Sequence, residues 1–549
     1  MNKKVCSFPI LFALLALLIG TCAAVFPASA QAVPTSTGSI TVSGTVARSY
    51  DAYQIFSANV VDGDSDAKVA TDLAWASDAV RDAALPVLHS AGMPNSQTTA
   101  QEAAEWLNAD SHLTSAQLAR SLQSSDAVPL NAGTASELPC GYWLIVADDD
   151  SIAQGEAGTA PVMALVGGSA VTVKPKAATP KVVKHVLEDS TAAWQKAADA
   201  TVADDLYWRL SATVPAGLTA YDTYTVQFVD TMSAGLDPSK VAASMHVYVA
   251  AGADGDFDAV STSKDGRVGT DPARGWTDIT AQCGVSVDGK TFTVRTGDLI
   301  AALGGADAFT AGARVVAVYN APLNSACNHG IAKGNPNEVY LRYPRSPFAD
   351  QSGDAGFTRT PSDDACAYTW DLALTKRGSD GDKPLAGAVL SIADDRGRTL
   401  AADGTWDAEG KATVTTGEDG RVTVSGVDSG KLEVRELKAP KGYTAFEGTR
   451  SVTVKAEGLD VDQVAAAKPK LTITAESPLR ADSADGSTGS LEASLINTPT
   501  GTPPSITTGG FMPLTGDMAM YAVAAAAVAG AALIVVALLI KRGGGSHKE

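Results

Sequence analysis

The sequence predicts a mainly β protein made of tandem immunoglobulin-like β-sandwich domains, the first of which is an α+β domain with a helical insertion. Two observations lead to this prediction. Short runs of alternating apolar and polar residues, separated by Gly, Asp and Pro, recur along most of the 549 residues. Helical periodicity is concentrated near the N-terminus, and the length suits three or so domains.

The N-terminus has the pattern of a secretory signal peptide. Lys3 and Lys4 precede an apolar run over residues 8–19, and Ala28-Ser29-Ala30 offers a small-x-small cleavage site. We therefore expect residues 1–30 to be removed on secretion.

The first domain is predicted over residues 31–176. Alternation from Ile40 predicts an opening strand, and two helical stretches follow at 68–88 and 98–122. Strand patterns return at 141–146 and 162–173. This order predicts a β-rich domain with a helical insertion.

Two further domains are predicted to be β-sandwiches. Residues 177–347 contain many short alternating runs, and residues 365–499 repeat that character. Residues 348–364 are polar and are predicted to be a linker. Residues 500–511 are rich in Thr, Pro and Gly, which predicts a flexible stalk.

The C-terminus carries a predicted membrane span. Residues 518–540 are uncharged and long enough to cross a ~30 Å hydrocarbon core as one helix. Lys541 and Arg542 follow at once and would hold the tail on the cytoplasmic side. By itself this segment is compatible with a plain single-span anchor of the precursor.

Composition excludes several function classes. The formal net charge is -19, so the chain has no basic surface for nucleic acid. The six His show no Ser/His/Asp or zinc pattern, and we predict no metal, no cofactor and no enzyme active site. Four Cys remain after signal removal and allow three pairings. Cys283 with Cys327 is the expected disulfide, because both fall in one predicted domain.

Three polar residues of the third domain continue apolar stripes. Residues two apart in a strand share a face, which puts Lys376 with Leu374, Glu436 with Val434, and Asn497 with Leu495. Burying an unpaired charge costs several kcal/mol, so three inward polar residues need a joint explanation. The alternative to burial is that all three are strand-end residues whose side chains reach solvent.

The chemistry of these residue types offers an explanation. An apolar pocket lowers the pKa of a Lys and raises that of a Glu, giving a neutral amine and a protonated carboxyl. Lys376 could then attack the Asn497 carboxamide while Glu436 moves protons. Ammonia would leave, and a Lys–Asn isopeptide bond would remain. Near-attack geometry supplies the effective concentration, so no cofactor is required.

Residues 436–443, Glu-Leu-Lys-Ala-Pro-Lys-Gly-Tyr, resemble the Glu-x-x-Ala-Pro-x-Gly-Tyr box of collagen-adhesin B-type (Cna-B) pilin domains. Residues 374–376 and 496–499 resemble the first and last strands of that family. The resemblance implies a Lys376–Asn497 isopeptide bond whose formation Glu436 catalyses.

The second domain resembles the isopeptide-forming middle domain of Gram-positive fimbrial subunits. Residues 180–186, 229–236 and 335–341 carry this likeness, which nominates Lys184, Asp230 and Asn337. All three lie on apolar faces, with Asp230 in the catalytic role. Lys181 and Asn335 are possible substitutes, and an ordinary salt-bridged sandwich is the alternative.

In the first domain, residues 50–56 resemble the N-terminal domain of the same subunits.

Residues 512–549 resemble a cell-wall sorting signal of the LPXTG type. Met512, Pro513, Leu514, Thr515 and Gly516 precede the apolar span and its basic end. The family's first letter is Leu, and this chain has Met512. The resemblance implies cleavage between Thr515 and Gly516 by a sortase, and covalent attachment to peptidoglycan.

Lys176 ends the run Val-Thr-Val-Lys-Pro-Lys, and alternation puts it on the face opposite Val173. This run resembles the pilin motif, whose final Lys attacks the sortase-bound Thr of the next subunit. The usual Tyr before Pro-Lys is replaced by Lys174. A solvated linker Lys is the alternative.

Together these resemblances imply the backbone subunit of a sortase-assembled pilus on a Gram-positive cell wall. Its partners would be sortase, further copies of itself, peptidoglycan and possible ancillary or tip pilins. A monomeric wall-anchored adhesin with the same domains is the alternative, and the sequence does not indicate an adhesive ligand.

Overall fold

The computed structural model describes residues 36–501, except 45–46, 65–66, 110–114, 176–178, 216–217, 253–260, 263–267, 270–274, 306–307, 309–311 and 350. The predicted signal peptide, Lys176, most of the stalk, the sorting motif and the predicted span 518–540 lie outside the described residues. Among the residues described, no helix is long and apolar enough to cross a membrane.

The N-terminal domain is an α+β unit in which helices cover one sheet. Its elements are β1 (Thr37–Val42), β2 (Ser49–Asp62), β3 (Lys68–Trp75), α1 (Asp78–Ser90), α2 (Ala100–Asn108), α3 (Ser115–Leu122), β4 (Val128–Asn131), β5 (Ala135–Pro139), β6 (Gly141–Ala147), β7 (Val162–Val166) and β8 (Val171–Val173). One sheet has the order β5-β1-β8, and the other has the order β3-β2-β6-β7 with β4 beside β2. Leu88 and Leu122 of the helices pack with Phe56 of β2 in one hydrophobic core.

The predicted helix over 68–88 was wrong in its first half. Residues Lys68–Trp75 form β3, which pairs antiparallel with the long strand β2. Without β3, backbone N–H and C=O groups along one edge of β2 would lack hydrogen-bond partners. Pairing with β2 therefore outweighs the helix-like spacing of apolar residues in this segment. The helix begins only after Ser77, whose side chain accepts a hydrogen bond from the Val80 amide.

The middle domain is a sandwich of two sheets. Its elements are β9 (Lys181–Glu188), β10 (Ala193–Gln195), β11 (Ala197–Asp199), β12 (Tyr207–Val214), β13 (Gln227–Met232), α4 (Val241–Ser244), β14 (His246–Ala251), β15 (Ser261–Thr262), β16 (Val268–Gly269), β17 (Trp276–Asp278), β18 (Gly284–Asp288), β19 (Thr291–Arg295), α5 (Leu299–Ala302), β20 (Ala313–Asn320), β21 (Asn335–Pro344), β22 (Phe357–Arg359) and β23 (Asp363–Tyr368). The first sheet has the order β10-β9-β12-β20-β14-β17. The second has the order β11-β23-β21-β13-β19-β18 with β22 beside β21, and β15 pairs with β16.

The predicted linker 348–364 was wrong, because this segment supplies strands to the middle domain. Strand β22 pairs Thr358 with Tyr343, and β23 pairs Cys366 with Pro336, both along β21. These strands satisfy backbone groups of β21 that would otherwise lack partners. The middle sandwich therefore extends to Tyr368, beyond the predicted boundary at 347, and the next domain begins at Trp370 instead of 365.

The C-terminal domain is a second sandwich. Its elements are β24 (Trp370–Gly378), β25 (Val389–Ala393), β26 (Thr399–Leu400), β27 (Trp406–Asp407), β28 (Val414–Thr415), β29 (Arg421–Val427), β30 (Gly430–Lys438), β31 (Tyr443–Thr444), β32 (Thr449–Glu457), β33 (Lys470–Ala475), β34 (Leu479–Asp485) and β35 (Ser490–Pro499). One sheet has the order β29-β24-β35-β31 with β34 beside β35. The other has the order β27-β26-β25-β30-β32-β33 with β28 beside β25.

Short 3-10 turns complete the described part of the chain. They are Asp149–Ser151, Leu218–Ala220, Pro238–Lys240, Thr280–Gln282, Asp354–Gly356 and Val464–Ala466. The predicted fold class, mainly β with an α+β first domain, agrees with the structure, whereas its C-terminal transmembrane helix falls outside the described residues.

Candidate functional site

The first candidate site lies between the sheets of the C-terminal domain. Lys376 is on the first strand β24, and Asn497 is near the end of the last strand β35. These strands are adjacent and parallel, with Lys376 opposite Leu495. Glu436 reaches the same point from β30 in the facing sheet. The three side chains are deeply buried, at 0%, 2% and 6% exposure for Lys376, Asn497 and Glu436.

Glu436 contacts both nitrogen atoms of the predicted reaction. Its Oε1 lies 3.4 Å from Lys376 Nζ and accepts a 2.9 Å hydrogen bond from Asn497 Nδ2. The Phe446 amide donates to its Oε2 at 3.1 Å, which fixes the carboxyl group. One carboxyl group can therefore take a proton from the amine and give one to the leaving nitrogen.

Burial shifts the Lys376 amine toward its neutral form. Burial lowers the pKa of Lys376 to about 8, although the Glu436 carboxylate opposes this effect. The Asn497 Oδ1 atom is buried without a hydrogen-bond partner among the described residues. Half a turn of that carboxamide would bring Oδ1 against the Glu436 carboxyl group in place of Nδ2.

The sequence box that follows Glu436 closes over the end of this site. The Tyr443 hydroxyl donates a 2.8 Å hydrogen bond to Asp380 and lies against Gly378, the residue paired with Asn497. A Cβ atom at Gly378 would lie 2.8 Å from that hydroxyl, so a larger residue there would displace the Tyr443 side chain.

The second candidate site joins the two sheets of the middle domain. Lys184 comes from β9 in one sheet, and Asp230 and Asn337 come from β13 and β21 in the other. All three are 0% exposed. Lys184 Nζ forms an ion pair with Asp230 Oδ2. A covalent link from Lys184 to Asn337 would therefore cross from one sheet to the other.

The middle site contains a residue that sequence reasoning missed. The Tyr319 hydroxyl, from β20, accepts hydrogen bonds of 2.9 Å from Lys184 Nζ and of 2.9 Å from Asn337 Nδ2. It donates to Asp230 Oδ2 at 3.1 Å. The available signal was the alternation of Val315, Ala317 and Tyr319, which puts a phenol on the inward face of a strand.

Burial also controls protonation in this second site. It lowers the pKa of Lys184 to about 8, against the opposing charge of Asp230. It raises the pKa of Asp230, against the opposing charge of Lys184. The Lys184 ammonium lies 5.4 Å from the centre of the Trp208 ring. The apolar surroundings thus lower the free-energy cost of moving a proton from the ammonium to the carboxylate.

The two substitutes left open by the sequence lie elsewhere. Lys181 is exposed at the start of β9. Asn335 is buried, but its carboxamide accepts from the Asn328 amide at 2.8 Å and donates to the carbonyls of Asn328 and Ala367. Its amide groups are thus engaged with the backbone, away from Lys184.

The expected disulfide between Cys283 and Cys327 is wrong, because all four described cysteines are free thiols. Cys283 Sγ donates to the Ile279 carbonyl at 3.3 Å, whereas Cys327 Sγ lies 3.5 Å from His329 Nε2. Each thiol contacts groups close to it in sequence instead of the other thiol, so the fact that both cysteines lie in one domain did not predict a disulfide.

Within the described ranges, no group of His, Cys, Asp or Glu could hold a metal ion.

The residues predicted to take part in polymerisation and sorting are outside the part of the chain that the structure describes. These are Lys176 and the sorting residues Met512, Pro513, Leu514, Thr515 and Gly516. Strand β8 ends at Val173, three residues before Lys176, and the intervening Lys174 is exposed.

Comparisons of the sequence with known proteins give one family match and one relative. The family model described as "SpaA: Prealbumin-like fold domain" matches residues 371–468, the segment that contains Lys376 and Glu436. The trypsin-resistant surface T6 protein of Streptococcus pyogenes serotype M6 is 30% identical over 143 residues. This match covers 25% of this chain and 24% of that protein, so the chain matches about a quarter of the length of this relative.

Solved pilin structures are also similar at low sequence identity. The T6 backbone pilin of S. pyogenes serotype M6 gives a TM-score of 0.45 at 17% identity, covering 85% of this chain and 99% of that chain. The full-length major pilin SpaD from Corynebacterium diphtheriae gives 0.42 at 15% identity, covering 85% and 98%.

Proposed function

We propose that this chain is the structural backbone subunit of a covalently polymerised surface pilus on a Gram-positive bacterium. Its chemistry would be single-turnover crosslinking of its own domains, not turnover of a substrate. The observation that carries the proposal is the pair of buried Lys–carboxylate–Asn clusters, one in each sandwich domain. The SpaA-type domain match and the T6 relative support it.

Each cluster has the groups needed to form an isopeptide bond. In the C-terminal domain, neutral Lys376 Nζ attacks Cγ of Asn497 to give a tetrahedral intermediate. Glu436 takes a proton from the attacking nitrogen and delivers one to Nδ2. The Cγ–Nδ2 bond then breaks, ammonia leaves, and an Nζ–Cγ amide remains. Side chains held by folding supply the proximity for this reaction.

These bonds suit a protein that carries tension. The proposed Lys376–Asn497 bond ties the first strand of its domain to the last, directly across the parallel pair β24 and β35. The proposed Lys184–Asn337 bond ties the two sheets of the middle domain. A pulling force would then run through covalent bonds and would not have to be borne by strand hydrogen bonds alone.

The proposed polymer joint connects two ends of the chain. Sortase would cleave between Thr515 and Gly516, and the Lys176 amine of another copy would take the acyl group from Thr515. This head-to-tail contact is heterologous and does not close, so it generates a fibre. The last subunit would be transferred to peptidoglycan, and ancillary or tip pilins could join by the same chemistry.

The joint is tested by changing Lys176 to Ala in the producing bacterium. We expect boiling-resistant ladders in denaturing gels of the unaltered strain and a single band for Lys176→Ala. Lys174→Ala is the matched control, since it removes an exposed Lys two residues away and should keep the ladder. A single band in all strains would instead support a monomeric wall-anchored adhesin with the same domains.

A further inference from the structure

Tyr319 touches every reactive group of the middle-domain site. It is 0% exposed, and its hydroxyl oxygen is 2.9 Å from Lys184 Nζ and 2.9 Å from Asn337 Nδ2. The same hydroxyl donates to Asp230 Oδ2 at 3.1 Å. A phenol hydroxyl both accepts and donates, so this position connects the attacking nitrogen to the leaving nitrogen.

In each of the two sites a polar group contacts both the Lys and the Asn nitrogen atoms, but the group differs between the sites. In the C-terminal site, Glu436 alone reaches both Lys376 Nζ and Asn497 Nδ2. In the middle site the carboxylate is Asp230, which is one methylene shorter, and the Asn337 amide donates to Tyr319 instead. The phenol oxygen thus contacts the Lys and Asn nitrogen atoms in the middle domain, as the Glu436 carboxylate does in the C-terminal domain.

We propose that Tyr319 is a catalytic residue of the middle-domain crosslink, whose hydroxyl relays a proton from Lys184 Nζ to Asn337 Nδ2. The proposal rests on the proposed isopeptide bond and assigns to that reaction a residue outside the Lys, Asp and Asn set.

The proposed step balances without any further reactant. Asp230 first accepts a proton from the Lys184 ammonium, and the neutral amine attacks Cγ of Asn337. Once Asp230 is protonated it no longer requires the hydrogen bond from Tyr319, and the hydroxyl turns from Asp230 toward Nδ2. When the Nζ–Cγ bond has formed and Nδ2 has become a basic amine nitrogen, a proton passes from Nζ to the Tyr319 oxygen while the phenol's own proton passes to Nδ2. The Cγ–Nδ2 bond breaks, ammonia leaves, and Tyr319 is regenerated. Burial raises the pKa of Tyr319 well above its ordinary value, so the phenol keeps the proton that it must deliver.

The test is the change Tyr319→Phe in the full chain. The variant keeps the ring, which packs edge-on against Phe292 at a centroid distance of 4.7 Å, and removes only the hydroxyl. The Lys184–Asn337 crosslinked peptide is followed by mass spectrometry against time after synthesis. We expect it to form about 10²–10⁴-fold more slowly, the usual contribution of a positioned acid–base group. The Lys376–Asn497 crosslink of the same molecules is the internal control and should form normally.

A second variant covers the case in which Tyr319→Phe does not fold. Fluorotyrosine placed at position 319 keeps the shape and the hydroxyl but changes its acidity. A changed rate for the middle-domain crosslink alone supports the relay, because a purely structural hydroxyl would not respond to acidity. An unchanged rate in either variant overturns it.

The outcome also separates this proposal from the one on which it rests. If the unaltered protein lacks the Lys184–Asn337 crosslink, the bond itself is refuted and the role of Tyr319 with it. If the unaltered protein has the crosslink and Tyr319→Phe forms it equally fast, only the role of Tyr319 is refuted.

Discussion

The Asn497 carboxamide donates a 2.9 Å hydrogen bond to Glu436 Oε1, the same oxygen that lies 3.4 Å from the Lys376 ammonium. The proposed leaving nitrogen and the proposed nucleophile thus share one carboxylate oxygen inside the domain. The arrangement needs both sheets of the domain, because Glu436 lies on β30 of one sheet while Lys376 and Asn497 lie on β24 and β35, the first and last strands, in the other.

Glu436→Gln should abolish the C-terminal crosslink, because the amide cannot accept and return a proton. The intact mass of the unaltered mature protein should fall short of its sequence value by two ammonia molecules, and the variant by one. Glu433→Gln is the matched control, since Glu433 is exposed on the same strand β30. A full sequence mass in the unaltered protein would contradict both crosslinks.

Asn497→Ala should lower the stability of the C-terminal domain by about 4–5 kcal/mol, by analogy with a disulfide that closes a loop of about 120 residues. Lys376→Met removes the crosslink from its other end and fills the site with an apolar chain. Denaturant unfolding of both variants should show a common loss attributable to the crosslink. Unchanged midpoints in both would show that the strands are not covalently tied.

The corrected domain boundary predicts where the middle domain can be cut. A chain that ends after Tyr368 should fold and form the Lys184–Asn337 crosslink, because it retains β22 and β23. A chain that ends at residue 347 lacks both strands and leaves backbone groups of β21 unpaired, so it should unfold or aggregate. Circular dichroism and intact mass measure the two outcomes. If both chains fold and form the crosslink equally well, residues 348–364 are a linker and are not needed by the middle domain.

The free thiols predict the result of alkylation. All four cysteines of the mature chain should react with iodoacetamide after denaturation without a reductant. In the native protein Cys140, Cys327 and Cys366 should react slowly, because they are buried and burial raises the pKa of Cys366 to about 11. If two thiols react only after reduction, a disulfide is present.

A buried carboxyl group predicts a pH dependence of stability. Burial, with the charge of Asp199, raises the pKa of Glu188 from 4.5 to about 7. The folded state binds this proton more tightly than the unfolded state, so the stabilisation is complete below pH 4.5 and is lost as the pH rises through 7. The loss is about 3–4 kcal/mol for a shift of this size.

Melting curves between pH 5 and pH 8 measure this effect. Glu188→Gln removes the titrating group and should flatten the slope, whereas Glu338→Gln, an exposed carboxylate on β21, should leave it. An identical slope in the Glu188 variant would assign the pH dependence to other groups.

Much of both sites could be read from local pattern. Alternation put Lys376, Glu436 and Lys184 on inward faces, and each is deeply buried. The period-2 geometry of a strand fixes which residues share a face, and it depends only on neighbours in sequence. The mainly β class and the sandwich architecture followed from the same pattern.

The tertiary structure decided what depends on distant partners. It paired β3 with β2 where the sequence indicated helix, added β22 and β23 to the middle domain, and separated the thiols of Cys283 and Cys327. It also brought Tyr319 between Lys184 and Asn337 from a strand that the sequence did not mark. Alternation along a strand predicts which face of the sheet a side chain lies on. The residues that it contacts depend on which strands pair, and strands far apart in sequence pair because they satisfy each other's backbone hydrogen bonds.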